Sequence, residues 1–141
     1  MPLTFDEIRL VIHQLLVSVE AIHSMGIVHT DLKLENLMLV NHKDKPFKIR
    51  LIDFGLAIPA SDVKVGMPMQ NPLFRAPEVM LGLPLTEAVD IWSLGCLMLF
   101  LYVTDSPFPH DCMYGWMKNL VDLVGQPADH LLAAGKYTKL F

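Results

Sequence analysis

Three side chains of different chemistry stand close together in His29-Thr30-Asp31-Leu32-Lys33-Leu34-Glu35-Asn36. Asp31 offers a base, Lys33 a cation, and Asn36 a carbonyl of the kind that hard metals accept. A second group, Asp53-Phe54-Gly55, follows the apolar run Ile49 to Ile52. A carboxylate at a strand end, followed by a flexible glycine, can hold Mg²⁺ through oxygen. Asn36 and Asp53, on the two ends of one hairpin, could share that ion. Metal and lysine together would neutralise charge on a transferring phosphoryl group while Asp31 accepts a hydroxyl proton. Each piece alone has a plainer reading, since a lone His-x-Asp is usually structural and Asp-Phe-Gly is common in turns.

These residues need elements to position them. Thr4 and Glu7 have capping-box spacing. Ile8, Val11, Ile12, Leu15, Leu16, Val19 and Ile22 then follow the i, i+3, i+4, i+7 rule, which predicts a helix ending near Gly26. Leu37 to Val40 and Ile49 to Ile52 read as a small hairpin around the polar turn 41–46. Lys43, Lys45, Lys48 and Arg50 belong to a solvated face of it. From Ile58 to Pro84 no period is sustained and five prolines intervene, which in a compact domain marks a functional loop. Thr86 to Val103 predicts a helix apolar nearly all round and hence buried, broken by Pro107 and Pro109. Helices over Met113 to Val124 and Ala128 to Ala134 follow, with Gly125 and Gly135 as stops. The fold class is mainly α with a small β-hairpin.

Composition narrows the partners. The chain has 141 residues, with 11 Lys+Arg against 15 Asp+Glu and a net charge of −4, which argues against direct nucleic-acid binding. Hydrophobic residues make up 52% and the mean hydropathy is +0.40, which argues against disorder. Charged residues are 18%, below the roughly 25% usual for soluble domains, which suggests an apolar surface that faces a partner or another part of the protein. The most apolar stretch, Ile91 to Val103, is too short to cross a bilayer, so no membrane role is expected. Two cysteines, Cys96 and Cys112, form no CxxC pair, and the N-terminus has no signal-peptide pattern. A reducing, intracellular setting fits both. His13, His23, His42, His110 and His130 show no metal spacing and take surface or core roles by default.

In order along the chain, the two acidic motifs are followed by Arg75-Ala76-Pro77-Glu78 and by Asp90-Ile91-Trp92-Ser93-Leu94-Gly95. Four separated motifs in this order resemble the C-terminal lobe of a eukaryotic protein kinase, from about Leu3 to Phe141. Lys33 resembles the serine/threonine class. Thr30, Val79 to Pro84, Val124 to Pro127 and Leu131 to Lys136 are similar to the homeodomain-interacting branch and its dual-specificity tyrosine-regulated relatives, in the CMGC group.

The resemblance implies roles. Asp31 is the catalytic base, Lys33 the phosphate contact, and Asn36 and Asp53 the Mg²⁺ ligands. Met38 lies under the adenine of ATP, and His29 and Phe54 pack in a hydrophobic spine. Asp90 caps the catalytic-loop backbone. Gly55 to Arg75 is the activation segment and Glu78 its anchor. ATP and a protein substrate are the implied partners, and nuclear residence follows from family likeness alone.

Departures are equally plain. No G-x-G-x-x-G loop and no lysine strand precede the first helix, so the chain reads as 1–141 of a partial kinase domain without its N-lobe. Thr30 stands where the family usually has Arg, and Leu34 where it has Pro. No Tyr, Ser or Thr lies between Asp62 and Arg75, so phosphate cannot order that stretch. The family's Arg partner for Glu78 is also lacking. The expected function is that of a serine/threonine protein kinase, here as a truncated C-lobe expected to be inactive alone because one face of the nucleotide cleft is lost, with a non-catalytic, kinase-like interaction module as the alternative.

Overall fold

The computed structural model describes residues 3–104 and 112–141. The breakers Pro107 and Pro109, and His110, lie outside them. Helix α1, Phe5–Ser24, starts where the capping box predicts. The Thr4 N–H donates to Glu7 Oε2 at 2.7 Å, and the Glu7 N–H donates to Thr4 Oγ1 at 3.3 Å. Ile8, Val11, Ile12, Leu15, Val19 and Ile22 form its buried stripe, whereas Leu16, expected in that stripe, is exposed. Burial of a side chain such as Leu15 stabilises the fold by about 2–3 kcal/mol.

The hairpin forms from β2, Leu37–Asn41, and β3, Lys45–Leu51, in antiparallel register Leu37↔Leu51 and Met38↔Arg50. Its turn is shorter than the polar run suggested. Lys45 and Pro46 extend β3, which sits at a sheet edge where a missing N–H is tolerated. Gln14 seats the hairpin on α1: its Nε2 donates to the Phe47 carbonyl at 2.9 Å, and its Oε1 accepts from the Ile49 N–H at 3.2 Å.

The stretch 58–84 is more ordered than its lack of period implied. Residues Ile58–Pro59 form β4, which pairs antiparallel with β1, Ile27–Val28, in a second two-stranded sheet. Pro77–Leu81 form a short helix, α2, that closes on Gly82 at φ +68°. Both elements are too short to leave a periodic trace.

Helix α3, Ala88–Val103, packs on α1. It buries Val89, Asp90, Ser93, Leu94, Cys96 and Leu97, but Ile91, Met98, Tyr102 and Val103 are exposed. The expectation of burial all round therefore fails over one face, as the apolar surplus in the composition foreshadows. Helices α4, Met113–Val124, and α5, Asp129–Ala134, complete the fold within a residue of their expected bounds. Trp116, Met117 and Leu120 of α4 join the core against α3, with the Trp92 and Trp116 rings 6.5 Å apart. The fold is mainly α with small antiparallel ladders.

Candidate active site

Val28 of β1 is fully buried and leads into the loop 29–36. That loop is shaped from below by one carboxylate. Asp90, with no solvent exposure, accepts the His29 N–H at 2.8 Å on Oδ2 and the Thr30 N–H at 2.9 Å on Oδ1. His23 Nε2 of α1 completes the set, 2.9 Å from Oδ2. A buried carboxylate is tolerated only when so satisfied. Asp90 thus caps the loop backbone, as expected. His23, given only a default role from sequence, is part of the same support; no spacing in the sequence pairs it with Asp90.

Thr30 sits at φ +66°, an unusual conformation for a β-branched residue. Its N–H on Asp90 and its hydroxyl, donating to the Leu56 carbonyl at 2.7 Å, hold it there. The hydroxyl thereby ties the loop 29–36 to the loop 53–57. His29 is fully buried and its ring lies 5.0 Å from that of Phe54. Burial pushes the imidazole below its ordinary pKa, against the pull of Asp90, the Ile52 carbonyl, Asp31 and Asp53.

The Asp31 carboxylate is buried and has two close partners on one oxygen. Lys33 Nζ donates to Oδ2 at 2.6 Å and Asn36 Nδ2 donates to the same atom at 3.1 Å. Asn36 Nδ2 also donates to the Asp31 carbonyl at 2.8 Å, which fixes the amide's orientation. Asp31 Oδ1 has no hydrogen-bond partner among the described residues. Bonding to Asp31 holds the Lys33 ammonium above its ordinary pKa, and the fields of Asp31, Glu35 and Asp53 add to it. The Thr30 bond to Leu56 and the His29–Phe54 ring contact bring the two loops together.

Asp53 sits at φ +62° just past β3 and is exposed. Its Oδ1 accepts the Gly55 N–H at 3.1 Å, leaving Oδ2 unengaged among the described residues. Asn36 is on the opposite side of the ladder, where its carbonyl accepts the Ile52 N–H at 2.9 Å. With Nδ2 committed to Asp31, the Asn36 side chain presents Oδ1, which also has no partner among the described residues. Two hard oxygens from adjoining backbone positions suit Mg²⁺, which keeps waters and phosphate oxygens in much of its shell. No group of three or more His, Cys, Asp or Glu gathers as a metal cage among the described residues. Met38 lies on β2 with half its surface exposed.

Sequence reasoning missed the support of the segment beyond Gly55. Gln70, at φ +67° and buried, donates from Nε2 to the Val89 carbonyl at 2.7 Å and to Ser93 Oγ at 2.8 Å. Its Oε1 accepts the Ala76 N–H at 2.9 Å. Arg75 grips the same turn, donating from Nε to the Met69 carbonyl at 3.0 Å and from Nη2 to the Gln70 carbonyl at 2.9 Å. A buried glutamine in an aperiodic stretch leaves no pattern that points to it.

The chain matches the protein kinase domain family over residues 1–127. The chain belongs to the protein kinase family. It is similar to homeodomain-interacting protein kinase 2 of Mesocricetus auratus, 38% identical over 140 residues, which covers 99% of this chain and 12% of the relative. Human homeodomain-interacting protein kinase 4 is 41% identical over 135 residues, 94% of this chain and 22% of the relative. The kinase chain therefore spans between about an eighth and a fifth of the length of these relatives. In this kinase chain no helix among the described residues is long and apolar enough to cross a membrane. Glu78, the expected anchor, makes no ion pair among the described residues, and burial pushes its pKa up.

Proposed function

We propose that the chain, as 1–141 of a kinase domain, is the C-lobe part of an enzyme that carries out ATP- and Mg²⁺-dependent phosphoryl transfer to serine or threonine hydroxyls of proteins, the chain by itself being inactive without the N-lobe face of the nucleotide cleft. The observation that carries this reading is the Asp31–Lys33–Asn36 cluster at hydrogen-bond distance, in a loop that the Thr30 hydroxyl ties to the loop of Asp53. Asp31 Oδ1 is the atom left to receive a hydroxyl proton, while Lys33 and Asn36 hold Oδ2 and orient the carboxylate. The Lys33 ammonium is the cation that meets negative charge developing on the phosphoryl oxygens. Asn36 Oδ1 and Asp53 Oδ2 are the oxygens that would hold Mg²⁺, with Met38 facing the adenine. Bound Mg²⁺ supplies charge neutralisation of the phosphates. The serine/threonine class rests on Lys33, and the names of the relatives favour homeodomain proteins as partners. An intracellular setting rests on the two unpaired cysteines, and a nuclear one on family likeness alone.

The test is Mg²⁺-ATP-dependent labelling of a serine/threonine protein acceptor by the protein that carries this chain, at its native length. Asp31→Asn should lower turnover about 10²–10⁴-fold. Unchanged turnover overturns the catalytic reading, and absence of labelling by the wild type favours a kinase-like interaction module instead.

A further inference from the structure

The stretch between Asp62 and Arg75 contains no hydroxyl side chain, so no phosphate can hold it. Gln70 and Arg75 secure its far end, and the Ala60 N–H, donating to the Gly26 carbonyl at 2.8 Å, secures its start. From residue 61 to 68, the remaining hydrogen bonds among the described residues join residues no more than three apart, with two exceptions. Tyr137 Oη donates to the Gly66 carbonyl at 3.2 Å, and Lys136 Nζ donates to the Val65 carbonyl at 3.4 Å.

Both residues are themselves fixed. The Tyr137 N–H donates to the Leu81 carbonyl at 3.0 Å, and the Lys136 N–H to the Gly82 carbonyl at 3.5 Å. The tyrosine ring lies in a slot made by two glycines. A Cβ on Gly82 would stand 2.7 Å from its Cδ2, and one on Gly66 would stand 3.0 Å from its hydroxyl. Both glycines have positive φ, +68° and +77°, so their backbones expose the carbonyls and leave the space a side chain would fill.

We propose that Tyr137, assisted by Lys136, is the positioning residue of the activation segment, strapping its middle to the end of α2 where a phosphorylated residue has no place. The segment is thereby ordered without modification, and its catalytic consequence rests on the function proposed above. Val63 and Met67 also pack on the core, and packing alone is the competing explanation.

Hydrogen exchange of the 141-residue chain, read on peptides covering 63–69, separates the two. Tyr137→Phe keeps the ring and removes only the donor. It should speed exchange there, and tryptic cleavage after the exposed Lys64, by about three- to tenfold, with amides of α1 and α3 unchanged. Tyr137→Ala should give a larger effect. Rates within twofold of wild type in both variants overturn the strap. Should Tyr137→Ala also loosen α1, the Phe variant alone decides. In the native-length protein, Tyr137→Phe should raise KM for the protein acceptor by a similar factor and leave KM for ATP within twofold. A wild type that transfers no phosphate defeats the proposed function and leaves the exchange result to judge the strap.

Discussion

The Asp90 carboxylate accepts the backbone N–H of His29 at 2.8 Å, reaching across 61 residues of sequence from a buried helix to the loop that holds Asp31. The same carboxylate takes the Thr30 N–H and meets His23, so its loss strands two buried donors. Asp90→Ala should destabilise the chain by about 3–5 kcal/mol in urea denaturation. His23→Ala, at a partly exposed partner, should cost only about 1 kcal/mol. Equal losses from the two variants would contradict this division.

Gln70 and Ser93 form one network. Ser93 Oγ accepts from Gln70 Nε2 at 2.8 Å and donates to the Phe74 carbonyl at 2.7 Å. Gln70→Ala and Ser93→Ala should each destabilise by about 1–3 kcal/mol, and the double variant should differ from their sum by about 0.5 kcal/mol or more. Strict additivity in a double-mutant cycle would show that the two bonds act independently.

Glu78 carries a pH dependence. Burial raises its folded-state pKa above the ordinary 4.5, so the native chain binds more protons than the unfolded chain above that pH. Stability is therefore lost as pH rises from about 4.5 through the folded value. Glu78→Gln should melt above wild type at neutral pH, with the gap closing toward about pH 4. A gap that stays constant from acid to neutral pH would assign the effect to packing rather than to charge.

The two thiols should behave oppositely. Cys96 is buried among apolar groups, which pushes its pKa up to about 12, whereas Cys112 is exposed at the start of α4. A disulfide reagent at neutral pH should titrate Cys112 alone in the native chain and Cys96 only after denaturation. Cys112→Ser should abolish the native reaction, and fast labelling of that variant would mean that α3 opens.

Much of this site was legible because its side chains sit in short contiguous motifs. The capping box and stripe of α1, the hairpin and α4 carry strong local patterns; the structure returns α4 residue for residue, α1 with Leu16 outside its stripe, and the hairpin with a shorter turn. The capping role of Asp90 follows from the family resemblance that its motif helps to carry, and Asp90 does cap the loop. What escaped was held by single long-range bonds. His23 sits on a partly exposed face of α1 and meets Asp90 across 67 residues, and the Gly66 carbonyl meets Tyr137 across 71. Periodicity reports on faces, not on individual partners. The overstatement of burial along α3 has the same root, since an apolar sequence cannot say which of its faces is covered.

The loops bearing Asp31 and Asp53 are joined to each other at both ends. The rungs Val28↔Ile58 and Ile27↔Pro59 close one end, and Leu37↔Leu51 with the Ile52-to-Asn36 bond closes the other. A span tethered once can swing; a circuit tethered twice has no free hinge. With both ends closed, the backbones bearing the two acids have less room to part while the rungs hold, so their spacing should be lost mainly when a rung breaks.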